Sequence, residues 1–212
     1  MKIVIFGAAG GTGRALIEQA LEQGYIVTGF DRHPEALTLQ HPNLTMIQGD
    51  IFDQEAVEAA IAGQDMVFCV LGVKPGVTVP VCSVGTKNII VGMQKQGVNR
   101  FICQSAFAVA ALDGEWREVP WIVPLVSPLF AKVRAMFMDH VRQEQFVRQS
   151  NLDWIIVRPS RLTDTPRTGQ YKVGDPLFIG PNAHIARADV ADFMLKQVNS
   201  DAYIHKTPRL KY

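Results

Sequence analysis

Chemistry in this chain can start from two places. The first is Gly7-x-x-Gly10-x-x-Gly13 in IVIFGAAGGTGRALIEQAL, directly after an apolar run and at the opening of a helical one. Glycines there let the backbone turn tightly and approach a pyrophosphate, while the helix N-terminus offers N–H donors and the positive end of its dipole. Ala9 and Thr12 complete that loop. The second place is Ser105, which closes the apolar run in ICQSAF. A serine at a strand end orients an oxygen by a hydrogen bond, or merely caps local backbone. Reducing a carbonyl would also need an acid. No tyrosine lies between Tyr25 and Tyr171, and the position four residues before Lys132 is Pro128. A phenol tuned by a lysine is therefore not expected. Ketone reduction and sugar epimerisation through such an acid are not expected either.

The segment FDRHP, after the second apolar run, bears on the cofactor. A carboxylate at this point takes a ribose 2′-hydroxyl, whereas an arginine accommodates a 2′-phosphate. Asp31 argues for NADH and Arg32 for NADPH. Arg14, just inside the first helix, adds a second cation near the same pocket, and two guanidiniums outweigh one carboxylate. NADPH is the expected cofactor and NADH the alternative. Asp50 follows the third strand, and by spacing alone it suits the N-cap of the next helix.

These residues need elements to hold them. Strand-like runs at Ile3–Phe6, Ile26–Phe30, Thr45–Ile47, Met66–Val70 and Phe101–Cys103 are nearly all apolar, as strands covered on both faces must be. Helical patterns lie between them at Thr12–Gln23, Gln54–Ala62 and Val84–Gln96, stopping at Gly24, Gly63 and Gly97. This alternation predicts an α/β fold: one Rossmann-like, doubly wound domain over residues 1–212, its sheet mainly parallel and helices on both faces. Residues 106–128, with Trp116, Trp121 and three prolines, read as a lid or substrate loop. Aromatics there and beside it, Phe107 and Phe130 included, either wall a flat substrate or form the loop's own core. A helix is expected over Ala131–Gln149, a strand over Trp154–Val157 cut by Arg158-Pro159, an irregular substrate-side segment at 163–182, a helix over Ala188–Val198, and a short strand near Tyr203–Ile204. Arg187-Ala188-Asp189 reads as a helix start.

Totals exclude other classes. The chain has 212 residues, 48% of them hydrophobic and 19% charged, the balance of a globular enzyme. A net charge of +1 gives no field to recruit nucleic acid or an anionic membrane. Cys69, Cys82 and Cys103 make neither a disulfide scaffold nor a zinc motif, and Cys69 and Cys103 read as core thiols. The histidines are scattered, so no metal site is expected. MKIVIF is too short for a signal peptide, and no apolar run is long enough to span a bilayer, so a cytoplasmic location is expected.

The GxxGxxG spacing resembles the extended and atypical short-chain dehydrogenase/reductases. Longer stretches are more specific: GQDMVFCVLG, GTKNIIVGMQKQGVNRFICQSAF, DHVRQEQFVRQSNLDWIIVRPSRLTD and ARADVADFML. They resemble the NmrA-like atypical reductases over nearly the whole chain, and within them most of all the biliverdin reductase B / flavin reductase family. The resemblance implies NADPH-dependent reduction of flavins, and of biliverdin-type tetrapyrroles, without a tyrosine–lysine pair. It implies that Gly7, Ala9, Gly10, Thr12 and Gly13 hold the pyrophosphate and that Arg14 and Arg32 hold the 2′-phosphate. Asp50, Ile51, Leu71 and Gly72 would then line the adenosine, with Ser105 and Pro159 flanking the nicotinamide. The flavin would be a substrate, not a tightly bound cofactor, and the protein a monomer acting on a small planar acceptor.

This chemistry suits the missing acid. A flavin takes hydride at a ring nitrogen and its reduced form is stable, so the protein need only hold two flat rings together. The chain departs from one member of that family at Arg161, where that member has histidine, and at Lys74, where it has arginine. Arg161 can pair with a substrate carboxylate or phosphate but cannot serve as an acid near neutral pH. That favours flavin over tetrapyrrole. His140 stands where related reductases often carry lysine, so it either faces the cofactor or is a partly exposed helix residue. Two rival readings remain: a non-catalytic NADP(H) sensor, and a reductase of quinones.

Overall fold

The computed structural model describes residues 1–72, 79–112 and 131–212. Strand β1 (Lys2–Phe6) has Ile3, Val4, Ile5 and Phe6 all fully buried. Such a strand must be covered on both faces, and its side chains alternate between two cores. Ile3 and Ile5 enter one core, Val4 and Phe6 the other. The parallel neighbours β2 (Ile26–Asp31), β4 (Met66–Cys69), β5 (Arg100–Gln104) and β6 (Asp153–Pro159) extend this pattern. Helices α1 (Gly11–Glu22) and α6 (Arg187–Lys196) cover the first face. Helices α2 (Gln54–Ile61), α3 (Val81–Gln96) and α5 (Ala131–Gln149) cover the second.

The eight-stranded sheet runs β3-β2-β1-β4-β5-β6-β10-β8, where β3 is Leu44–Gln48, β8 is Lys172–Gly174 and β10 is Arg209–Lys211. Every pairing is parallel except β10 with β8. Strands β7 (Arg161–Thr163) and β9 (His184–Ala186) make a separate parallel pair. A short helix α4 (Val109–Leu112) follows β5. The order reverses between β1 and β4. In an open sheet of this kind a ligand crevice forms beyond the carboxyl ends of the strands at that reversal.

The expected Rossmann-like fold is therefore present, with helices on both faces. Gly24, Gly63 and Gly97 end α1, α2 and α3 with φ of +78°, +72° and +69°, as expected of glycine stops. Three details differ. The last strand is Arg209–Lys211, and Tyr203–Ile204 form a turn. Residues 163–182 contain β8 as well as irregular chain. Arg158-Pro159 does not cut β6. Arg158 and Ser160 donate N–H bonds to Pro208 and Leu210 on the β10 side. The proline nitrogen therefore faces the β5 side, where β5 has already ended at Gln104, and its missing donor costs no ladder bond. Of the expected lid, 113–128 lie outside the described residues, as do Lys74, Trp116, Trp121 and Phe130.

Candidate cofactor and active site

At the reversal point the glycine loop leaves β1. Gly7 has φ +86°, a conformation that costs any residue with a Cβ about 1–2 kcal/mol. A Cβ on Gly7 would also lie 2.8 Å from the Val70 carbonyl oxygen. One on Gly13 would lie 2.3 Å from the Gly7 oxygen, so Gly13 lets α1 pack tightly on its own strand. Gly10 donates its N–H to Gly7 and caps α1 with no side-chain bond. The first amides of α1, at Gly11, Thr12 and Gly13, are thus left without a capping side chain at the positive end of the helix, a cradle that fits a pyrophosphate. Thr12 is buried, Ala9 half-buried, and Gly10 exposed.

A cleft opens beside the loop. Gly7, Gly10, Phe30, Asp31, Arg32, Gly49, Ile51, Val70, Leu71, Gly72 and Val81 line it, supplied by the ends of β1 to β4 and the start of α3. It brings together the expected Gly7, Gly10, Arg32, Ile51, Leu71 and Gly72. Asp50 is exposed at its rim and is not a wall residue; its carboxylate accepts from the Phe52 amide at 3.0 Å. The N-cap of α2 is Asp53, which accepts from the amides of Glu55 and Ala56.

Asp31 is spent on the protein itself. One carboxylate oxygen accepts from the Ala9 amide at 3.0 Å, the other from the His33 amide at 3.1 Å. The residue that spoke for NADH therefore braces the glycine loop, and Arg32 stands exposed on the cleft wall. Arg14 is a brace as well. Its Nε bonds the Ala9 carbonyl at 2.8 Å and an Nη the Ala36 carbonyl at 2.7 Å, tying the loop to the chain after β2. It lies outside the cleft wall.

Ser105 sits further along the sheet. Its amide donates to Val157 at 2.8 Å, and the Phe107 amide reaches the Pro159 carbonyl at 3.2 Å, so β5 and β6 place Ser105 and Pro159 side by side. Ser105 is buried, and its hydroxyl lies beside the Glu144 carboxylate. The Ser160 hydroxyl, which the sequence did not single out, is also buried and has no hydrogen-bond partner among the described residues. Two buried hydroxyls at the ends of adjacent strands are polar groups that a bound ring could use.

Behind Ser105 is a buried ion pair. Arg158, fully buried, grips Glu144 of α5 through Nε at 2.9 Å and an Nη at 2.7 Å. Burial alone would push the Glu144 carboxyl up. Arg158 overrides it, with smaller help from Ser105 and Arg148, and the carboxyl lies below its ordinary value. His140, one turn before, is buried and does not have the partly exposed place the sequence allowed. Its Nδ1 is 2.7 Å from Gln143 Oε1, and its Nε2 is 4.0 Å from Cys82 Sγ, so its ring is locked between α5 and α3. Arg161 is exposed on β7, opposite His184 in register, and no hydrogen bond joins it to Ser105 among the described residues.

All four tyrosines pack against the core on the α1/α6 side of the sheet. Tyr171 donates to Asp192 at 2.6 Å, and burial together with that carboxylate pushes its phenol up. Ser105 lies on the opposite side, next to Glu144 of α5. All three cysteines are buried and unbridged. Burial, then the Asp139 carboxylate, pushes the Cys82 thiol up. Among the described residues no cluster could hold a metal, and no helix is long and apolar enough to cross a membrane.

The sequence profile of the NAD(P)H-binding family matches residues 7–201. A chloroplastic protein of Arabidopsis thaliana, At2g34460, is 29% identical over 94% of this chain and 73% of its own. The chain also matches mycobacterial-type 3-beta-hydroxysteroid dehydrogenases, but spans only about a third of their length. Among solved structures, a short-chain dehydrogenase/reductase of Veillonella parvula in complex with NADP superposes with a TM-score of 0.78 at 19% identity, over 100% of this chain and 94% of that one. An anaerobilin reductase of Escherichia coli O157:H7 superposes with a TM-score of 0.80 at 23% identity, over 99% and 96%. At those identities the superpositions speak for the fold. With the profile spanning nearly all of it and the glycine loop at its reversal point, this chain belongs to the NAD(P)H-binding family.

Proposed function

We infer that this protein is an NADPH-dependent reductase of flat conjugated acceptors, flavins first and linear tetrapyrroles second. The observation that carries this reading is the segregation of all four tyrosines to the face away from Ser105. A site with a nicotinamide cradle but no phenol is suited to acceptors whose reduced form needs no proton from the protein. Bound NADPH supplies the hydride. The glycine loop, braced by Asp31 and Arg14, fixes the pyrophosphate. Arg32 takes the 2′-phosphate, while the Asp31 carboxylate beside it accepts from the Ala9 and His33 amides. Ser105 and Ser160 offer hydroxyls to orient a ring, and Pro159 supplies an apolar edge. The fold shared with a bilin reductase and with an NADP-bound relative supports this choice. A single chain acting on a small planar molecule is the working unit this reading takes.

A second reading, a non-catalytic NADP(H) sensor, draws on the same missing acid. One experiment separates them. Loss of nicotinamide absorbance is followed with FMN as acceptor, NADPH and NADH side by side. Turnover that is faster with NADPH is expected. Faster turnover with NADH would return Asp31 to the ribose. Tight NADPH binding with no turnover on FMN, bilin or quinone would leave the sensor.

A further inference from the structure

We propose that Arg187 is a phosphate-positioning residue for the bound dinucleotide, brought to the glycine loop from the start of α6 and paired with Asp164 until the dinucleotide displaces that carboxylate. This rests on the reading of that loop as the pyrophosphate cradle.

The geometry at Gly11 carries it. Gly11 is the first residue of α1, exposed and without a capping side chain. A Cβ built there would lie 2.6 Å from Arg187 Cδ and 2.9 Å from its Nε. The arginine stem therefore lies beside Gly11, in the first turn of the helix end where a pyrophosphate would bind. Asp164 Oδ1 holds one Nη at 2.6 Å. That is the only polar partner of Arg187 among the described residues, which leaves the rest of the guanidinium fork unengaged. Arg187 is 30% exposed and Asp164 84% exposed. An ion pair so exposed contributes little and is easily broken. A pyrophosphate, charged on both phosphates, is the stronger partner for a planar fork of donors.

Position separates Arg187 from the other cations. Arg14 braces the flank of α1 that faces the chain after β2, through Ala36. Arg187 follows β9, whose neighbour Tyr212 continues β10, so it approaches from the β6–β10 side, where Ser105 and Pro159 lie. It is placed for the phosphate nearer the nicotinamide, whereas Arg32 serves the adenosine end. It also explains the second glycine of the pair Gly10-Gly11: any side chain at Gly11 would push the arginine stem aside.

The test compares binding of NADP⁺ and of its adenosine half alone, 2′,5′-ADP, by calorimetry on the full chain. Arg187→Gln is expected to weaken NADP⁺ by about tenfold or more, and the adenosine half by less than about threefold. Arg187→Lys keeps the charge and should recover part of the loss. Asp164→Asn removes a competitor and a repelling charge, and should leave NADP⁺ binding as tight as wild type or tighter. A merely structural Arg187–Asp164 tie would make the two variants behave alike, lowering thermal stability together and weakening both ligands equally. That result, or an Arg187→Gln protein that binds NADP⁺ like wild type, overturns the proposal. Failure of the wild-type chain to bind NADP⁺ at all would instead overturn the cradle itself, and Arg187's role with it.

Discussion

Asp31 shows how one side chain's direction decides a cofactor reading. In FDRHP the carboxylate and the guanidinium are adjacent, and their types alone argue for opposite cofactors. The structure turns the carboxylate back onto the Ala9 and His33 amides. That bond joins residues twenty-two positions apart, so no local pattern announces it. The glycines are different. Their need for positive φ and for close approach is local, and the loop was legible from spacing alone. The expected outcome follows at this scale. Arg32→Ala should weaken NADPH binding by about tenfold or more, the size of one lost charge-assisted phosphate bond, and change NADH binding by less than about twofold. Fluorescence titration with both cofactors measures it. Equal losses would place Arg32 outside the 2′ pocket. Asp31→Asn should instead weaken both cofactors together, because it slackens the loop that both share.

Among the elements, α5 was legible and the start of α3 was not. The bounds of α5 are the expected Ala131–Gln149. Helix α3 starts at Val81, three residues before the expected Val84, because its first turn is not capped by its own sequence. Pro80 at its N-cap offers no side-chain acceptor. Asp139 of α5 does so from across the interface, accepting from the Cys82 amide at 2.8 Å, from the Ser83 amide at 3.1 Å and from the Ser83 hydroxyl. The same interface holds His140, Gln143 and Thr86 in a buried polar chain, with Gln143 Nε2 3.0 Å from Thr86 Oγ1. Such contacts join residues more than fifty positions apart and leave no periodic trace. Asp139→Ala should therefore cost about 1–2 kcal/mol, the worth of a good N-cap, as two amides lose their acceptor. A urea melt reads that loss directly. A midpoint unchanged from wild type would mean that the first turn of α3 finds water or another acceptor and that Asp139 does not anchor it.

At the scale of the whole molecule, the Glu144–Arg158 pair joins α5 to the sheet directly behind Ser105, and so ties global stability to the order of the site. The Glu144 carboxyl is held below its ordinary 4.5 by Arg158 against the opposing effect of burial. A carboxyl with a depressed folded value stabilises the fold fully above its unfolded value. That contribution is lost as pH falls through the folded one. Stability should thus stay level above about pH 4.5 as far as this group is concerned, and fall as acid protonates it below that. Glu144→Gln removes the charge while keeping the shape. It takes the Glu144 charge away from the buried Arg158 guanidinium, which should cost about 3–5 kcal/mol near neutral pH. It should also flatten the acid limb, since the titrating group is gone. Urea melts of both proteins across the acid range provide the check. If the variant keeps the wild-type slope below pH 4.5, the acid sensitivity comes from other carboxylates, with Asp189 the first to examine. Its carboxyl too is held low against burial, by Tyr212 and the amides of Thr168 and Gly169. Loss of slope together with loss of FMN turnover would show that the pair holding α5 to β6 also keeps Ser105 in register with the cofactor.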